Sequence, residues 1–230
     1  MDSVTEYKRA AGEAAVDRFV ESGMCVGLGT GSTALWAIRR VGEMVAAGAD
    51  IGCVPTSRAT QTLCEELHIP LVPFTSRPIA IAIDGADEVS PDFSLTKGGG
   101  GALFREKCIA QAAEQFVVVV DESKLVPHLG VFPTPIEVVP FAASWVRLQI
   151  ERWYPGIRIV ERGVERHYRT DNGNVILDCP FGALASPREL DARLKTITGV
   201  VATGLFAGSA DTVIVAGASG IRDLQRAQTL

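Results

Sequence analysis

Histidine is almost missing from this sequence. His68, His128 and His167 are the only three, and no two stand at a spacing that suits a shared metal ion. The five cysteines (Cys25, Cys53, Cys64, Cys108 and Cys179) form no C-x-x-C and lie scattered, mostly beside apolar residues. Free, buried thiols in a reducing, cytoplasmic setting are therefore expected, rather than zinc ligands or disulfides. Basic charge is also in short supply: 22 Lys and Arg stand against 27 Asp and Glu, for a net charge of −5. That balance supplies no field for nucleic acid, and an anionic ligand would need local positive groups. No apolar run approaches the roughly 18 residues of a membrane helix; the densest, Phe116–Val120, is strand-sized. The opening MDSVTEYKRAAGEAAVDRF is charged and helical in pattern, without the apolar core of a secretory signal. What remains is an ordinary balance of 47% hydrophobic and 21% charged residues over 230 positions. That is enough for a proper core in one large domain or one and a half.

Periodicity organises the chain. Residues 5–22 repeat small and apolar residues at helical spacing, and MCVGLG (24–29) follows as a short buried strand. The alternation continues with helix 32–48, strand 51–54, helix 57–68, strands 71–74 and 79–83, helix 102–115 and strand 116–121. Strands that read as continuous apolar runs between helices argue for a parallel sheet covered on both faces. Three prolines in GVFPTPIEVVPF mark a crossing between domains. Beyond it come strand 136–139, helix 142–153, two strands around TDNGN with a hairpin at Asn172-Gly173, helix 186–197 and strand 200–206. That β-α-β-β-α-β order fits a small ferredoxin-like α+β unit. ADTVIVAG (210–217) reads as a last buried strand that rejoins the first sheet. The expected division is 1–130 with 207–230, and 131–206.

Several loops carry more chemistry than turns require. GLGTGSTA (27–34) joins a strand to a helix, where glycines let backbone N–H groups approach an anion and the helix N-terminus favours one. Capping of the helix by Ser32 is the competing reading. Gly29, Gly31 and Ala34 also fit the dinucleotide pattern G-x-G-x-x-G/A, but the next strand runs into PTSRAT rather than ending on an acid, and no Walker lysine follows. In PTSRAT (55–60) a helix cap is the first expectation. IDGADE (83–88) sets Asp84 and Asp87 at the C-terminal end of a strand, the edge where open α/β sheets bind ligands. One Asp-Gly makes a turn; two acids three apart point to hydroxyl binding and proton transfer ahead of a metal. KGGGGAL (97–103) places Lys97 before four glycines, whose entropic cost suggests a nest of N–H groups for an oxyanion. Glu106 follows in the first turn of a helix. An ordinary acid favoured by the helix dipole and a desolvated general base are both open there. VDESKLV (120–126) ends another strand with Lys124, either a surface lysine or a point charge for a phosphate.

In this order, GLGTGSTA, TSRAT, IDGADEV, KGGGGALFREK, VDESK, PIEVVPFA, TDNGNVILD and GLFAGSADTVIVAG resemble the ribose-5-phosphate isomerase family, type A, over nearly the whole chain. The resemblance implies a doubly wound, mostly parallel, Rossmann-like α/β domain with a small α+β domain. It also implies an aldose–ketose isomerase of ribose 5-phosphate and ribulose 5-phosphate, usually a homo-oligomer (dimer or tetramer), with neither metal nor organic cofactor. Nucleic acid and membrane are not expected partners. Carried over, Glu106 matches the catalytic base and Thr30, Gly31, Ser32 and Thr33 the substrate loop. Asp84, Gly85, Ala86 and Asp87 match the acidic loop, and Lys97, Gly98, Gly99 and Gly100 the glycine loop. Lys124 matches a substrate-contacting lysine, and Lys8 one that some members bring to the phosphate. Ser94 and Thr96 depart from the family's usual apolar run before the lysine, and segment 157–169 is longer than usual. Two other classes compete: a sugar-phosphate sensor, which would need no Glu106, and an acyl or CoA transferase, which would use a glutamate as nucleophile.

Overall fold

The computed structural model describes residues 3–163, 165 and 167–226. It divides into two compact units: Met1–Ala86 with Arg105–Lys124 and Ser209–Leu230, and Asp87–Phe104 with Leu125–Gly208.

The first unit holds a six-stranded sheet of β1 (Cys25–Leu28), β2 (Gly52–Pro55), β3 (Ile79–Asp84), β6 (Ala113–Asp121), β12 (Thr212–Gly217) and β13 (Gly220–Gln225). In space they run β2-β1-β3-β6-β12-β13, with every neighbouring pair parallel except the final hairpin. Alternate residues feed one buried layer: Val26 and Leu28, Ile81 and Ile83, Val117 and Val119, Ile214 and Ala216. Helices α1 (Ser3–Phe19) and α2 (Ala34–Ala46) supply Ala11, Ala15, Val16, Ala37, Ile38 and Val41 to that layer. α3 (Arg58–Glu66) adds Cys64 to it. Helix α4 (Leu103–Ala112) lies on the opposite face, where its Ile109 presses on Gly27 so closely that a Cβ there would stand 2.4 Å from it. The sheet is thus covered on both sides, as a parallel sheet must be. Strand order reverses between β1 and β3, so the C-terminal ends of those two strands form the topological switch point.

The second unit contains β7 (Thr134–Val138), α5 (Ala143–Trp153), β8 (Val160–Glu161), β9 (Val175–Cys179), α6 (Pro187–Lys195) and β10 (Val200–Thr203). Its antiparallel sheet runs β10-β7-β9-β8, the interleaved order of a ferredoxin-like β-α-β-β-α-β unit. Ile136, Val138, Val146, Ile150, Leu177 and Leu194 are fully buried between sheet and helices. Each contributes roughly 1.5–3 kcal/mol by leaving water. A small second sheet, β4 (Glu88–Val89), β5 (Leu95–Thr96) and β11 (Leu205–Phe206), completes the unit.

Four local expectations change. No strand forms at 71–74; Leu71 makes one bridge to Cys53, and Pro70 and Pro73 lack the N–H groups to extend it. α4 ends at Ala112, because Ala113 and Gln115 join the β6 ladder opposite Ile79 and Ile81. At Asn172-Gly173 only Gly173 has positive φ (83°), so the loop is closed by Gly173 N–H to Thr170 O (2.9 Å) rather than by a mirror-image turn. The strand before it, β8, ends at Glu161, and the turn itself is pinned by the Thr170, Asn172 and Asn174 side chains, which all donate to buried Glu137 on β7. Strand 200–206 breaks at Gly204 into β10 and β11, which join different sheets. A Cβ at Gly204 would stand 2.3 Å from Lys97 O and 2.6 Å from Pro135 Cδ, so only glycine permits the crossing. β13 was not expected, and it is an exposed edge. All five cysteines are free, and no helix among the described residues is long and apolar enough to cross a membrane.

Candidate active site

In the first unit the switch point is built around Asp84, only 2% exposed at the end of β3. Its Oδ1 accepts the N–H of Gly85 (2.7 Å) and, across the reversal, the N–H of Thr30 (3.1 Å) in the loop after β1. One carboxylate oxygen thereby ties two strand-end loops together. The seat exists because residue 29 is glycine: a Cβ there would lie 2.1 Å from Asp84 Oδ1.

Within the Thr30–Thr33 loop the hydroxyls divide their work. Thr30 Oγ1 turns to the next strand end, within 2.7 Å of Thr56 Oγ1, 2.8 Å of Ser57 Oγ and 3.1 Å of Thr60 Oγ1. Thr60 in turn donates to Gly29 O (2.8 Å). Ser57 caps α3 by accepting the Thr60 N–H (3.0 Å), as PTSRAT suggested. Thr60 was missed as a loop anchor; only its place inside that motif hinted at it. The N-cap of α2 is Thr33 rather than Ser32, and it makes no side-chain capping bond. Ser32 is exposed and Gly31 takes φ 116°, so this loop presents hydroxyls and a helix N-terminus outward.

Glu106 sits in the first turn of α4 and is 4% exposed. It shares a helix face with Ile109, three residues on, which lies against β1. Crossover helices run antiparallel to their strands, so Glu106 is carried toward the strand C-terminal ends. The helix N-terminus favours negative charge at that position. Lys124 ends a 3₁₀ turn after β6, at the same sheet edge, in a turn braced by Asp121 accepting the Ser123 N–H (3.1 Å). Lys8 is half-buried on α1 and forms no hydrogen bond or ion pair with these loops among the described residues.

The second unit carries the rest. Lys97 is 2% exposed, with Nζ 5.6 Å from the centre of the Phe206 ring. Its N–H donates to Gly204 O (2.8 Å), so the split between β10 and β11 positions it. Gly98 and Gly101 take φ 100° and 83°, conformations closed to most side chains. Gly99 N–H donates to Asp87 Oδ2 (2.8 Å) and Gly101 N–H to Gly98 O (2.9 Å). Among the described residues, the N–H groups of Gly98 and Gly100 are then the loop's available donors.

The acidic cluster of the sequence separates by task. Glu88 is a structural anchor: Thr96 Oγ1 and Gly130 N–H donate to its Oε2 (2.7 and 2.9 Å) and Phe132 N–H to its Oε1 (2.8 Å). Asp92 shapes a turn by accepting Ser90 Oγ (2.5 Å) and Ser94 Oγ (2.8 Å). Partial burial works to raise its pKa, yet those hydrogen bonds prevail and hold it below the ordinary value. Asp84 and Asp87 instead accept backbone N–H groups of the loops themselves, from Thr30 and Gly85 and from Gly99 respectively. Among the described residues no group of three or more His, Cys, Asp or Glu side chains is disposed to hold a metal ion.

The first unit is an α/β fold of the doubly wound class, with Asp84 and the Thr30–Thr33 loop at the strand ends of its switch point. Comparison with known proteins narrows the class. The family model described as ribose 5-phosphate isomerase A (phosphoriboisomerase A) matches residues 52–220. Ribose-5-phosphate isomerase A of Bacillus mycoides (strain KBAB4) is 45% identical over 226 residues, covering 94% of this chain and 98% of that protein. Ribose-5-phosphate isomerase A 1 of Oceanobacillus iheyensis is 48% identical over 221 residues, covering 94% and 96%. Among solved structures, a D-ribose-5-phosphate isomerase in complex with phospho-erythronic acid superposes with TM-score 0.91 at 41% identity, over 98% of this chain and all 100% of that one. Ribose 5-phosphate isomerase A of Methanocaldococcus jannaschii gives TM-score 0.91 at 38% identity, over 97% and 100%. The chain belongs to the ribose 5-phosphate isomerase A family.

Proposed function

We propose that this protein interconverts ribose 5-phosphate and ribulose 5-phosphate through an enediol, with Glu106 as the proton shuttle. The observation that carries the reading is a carboxylate almost wholly withdrawn from water on the first turn of α4, on the helix face that Ile109 lays on β1. A carboxylate kept from bulk water is suited to take a proton from carbon. It removes the C2 proton of the open-chain aldose and returns it to C1, while the O2 proton passes to O1, so that C1 becomes a primary alcohol and C2 the ketone. The carbon is acidic only if charge developing on O1 is stabilised. That task falls to Lys97 with the free N–H groups of the glycine loop. Asp84 and Asp87 orient hydroxyls and assist opening of the furanose. The phosphate is held by the Thr30–Thr33 loop, chiefly through Gly31, Ser32 and Thr33, since the Thr30 hydroxyl serves Thr56, Ser57 and Thr60. Lys124 adds charge at the sheet edge, with Lys8 a further contributor from α1. Binding of that dianion positions the reacting carbons.

No step of this mechanism requires a metal or an organic cofactor. The protein works in the cytoplasm as an assembly of identical chains, a dimer or tetramer. Phe141, fully exposed, and Trp145 and Leu148 on α5 follow at helical spacing and are a surface such an assembly would cover. The deciding experiment is formation of ribulose 5-phosphate from ribose 5-phosphate by purified, metal-stripped protein. Turnover is expected; its absence in a folded protein that still binds the sugar phosphate would favour the sensor reading.

A further inference from the structure

Behind the glycine loop lies a guanidinium that the motifs do not announce. Arg162 follows β8, its N–H bonded to Ile176 O on β9 (2.9 Å). Its Nε donates to Asp178 Oδ2 (2.9 Å) and its Nη2 to Asp178 Oδ1, a two-point pairing with a strand residue. The remaining nitrogen, Nη1, donates to Gly98 O (2.7 Å) and Gly99 O (3.1 Å). Burial disfavours the cation, but the Asp178 carboxylate more than compensates and raises the Arg162 pKa. At the far end of the loop a Cβ on Gly101 would stand 1.8 Å from the Tyr168 hydroxyl oxygen, so Tyr168 closes the same wall.

We infer that Arg162, held by Asp178, is a positioning residue that sets the direction and strength of the glycine-loop donors. In a trans peptide the C=O and N–H point opposite ways. Drawing the carbonyls of Gly98 and Gly99 to one guanidinium therefore turns the N–H groups of Gly99 and Gly100 to the other side. The Gly99 N–H already meets Asp87 there (2.8 Å). The Gly100 N–H is left for a ligand oxygen. A cation on the carbonyls also polarises both peptides and makes their N–H groups stronger donors. Glycine, with the widest choice of φ and ψ, is the residue that most needs such external restraint. The inference rests on the reading in which this loop stabilises the oxyanion.

The test compares Arg162→Met, Arg162→Lys and Asp178→Asn with the unaltered protein. Each is checked for folding by thermal melting, then measured for kcat, KM and amide exchange of segment 97–101. For Arg162→Met, kcat should fall roughly 10- to 100-fold with KM held within about threefold, because misdirected donors lose the transition state more than the ground state. Exchange at Gly99 and Gly100 should quicken. Arg162→Lys keeps the charge without the fork and should recover only part of kcat. Asp178→Asn should fall between. Adding methylguanidinium to Arg162→Ala should raise kcat. A kcat for Arg162→Met within about twofold of the unaltered protein overturns the inference. So does a loss that follows melting temperature while loop exchange stays the same. If the unaltered protein fails to turn over ribose 5-phosphate, the isomerase reading falls, and the exchange comparison alone decides whether Arg162 holds the loop.

Discussion

Gly29→Ala is the smallest change that should unmake the switch point, and its cost can be worked from geometry. Gly29 has no left-handed backbone requirement, so alanine brings no conformational strain of its own. The added methyl would lie 2.1 Å from Asp84 Oδ1, 2.2 Å from Cγ and 2.6 Å from Cβ, so the carboxylate must leave its seat. Leaving breaks the bonds from Thr30 N–H and Gly85 N–H. Hydrogen bonds to a charged group contribute about 1.5–3 kcal/mol each, giving a ceiling of about 3–6 kcal/mol for the pair. Movement of the exposed part of the loop offsets some of that, and we expect a loss of about 3 kcal/mol. Urea unfolding followed by circular dichroism measures it, with exchange of the 26–36 peptide reporting whether the loss is local. The same methyl in an Asp84→Gly background meets no carboxylate and should cost under about 1 kcal/mol, a strongly non-additive cycle. Additive losses, or a Gly29→Ala protein within about 0.5 kcal/mol of the unaltered one, would refute the idea that Asp84 locks the two loops.

Glu106→Gln should bind ribose 5-phosphate with little change yet lose most turnover; near-normal kcat in a steady-state assay excludes Glu106 as the base. Incubation with a strong chelator should leave the rate intact, and loss of activity restored by a divalent ion would contradict the metal-free mechanism. In the native protein a thiol reagent near pH 8 should modify Cys108 first, because Cys25, Cys53, Cys64 and Cys179 are buried. Burial pushes the Cys179 thiol up to about 12, which keeps it from ionising at that pH. Mass spectrometry of the labelled peptides reads the order, and early labelling at Cys179 would contradict its burial.

Much of the candidate site was legible because its parts are local. A strand end followed by GLGTGS or IDGAD carries its position with it, since apolar runs and glycine punctuation mark where strands stop. Glu106 was legible as a first-turn acid, but its withdrawal from water was not. That depends on Ile109 packing on β1, a contact between distant parts of the chain. The acids of 84–92 looked equivalent in sequence. Only their partners, such as Gly130 and Phe132 for Glu88, separate an anchor from a candidate ligand group.

Composition and periodicity by themselves determined the covered parallel sheet, the ferredoxin-like insertion and the free thiols, and they singled out the candidate loops. Each follows from local rules: what a side chain prefers, and how often an apolar one recurs. Tertiary structure alone decided the break at Gly204, the pinning of the 170–174 turn on Glu137, and the reach of Arg162 across 64 positions to Gly98. These depend on which backbones approach within a methyl group of one another and which buried charge finds its counterpart. Distances of that kind arise from packing, and no run of neighbouring residues encodes them.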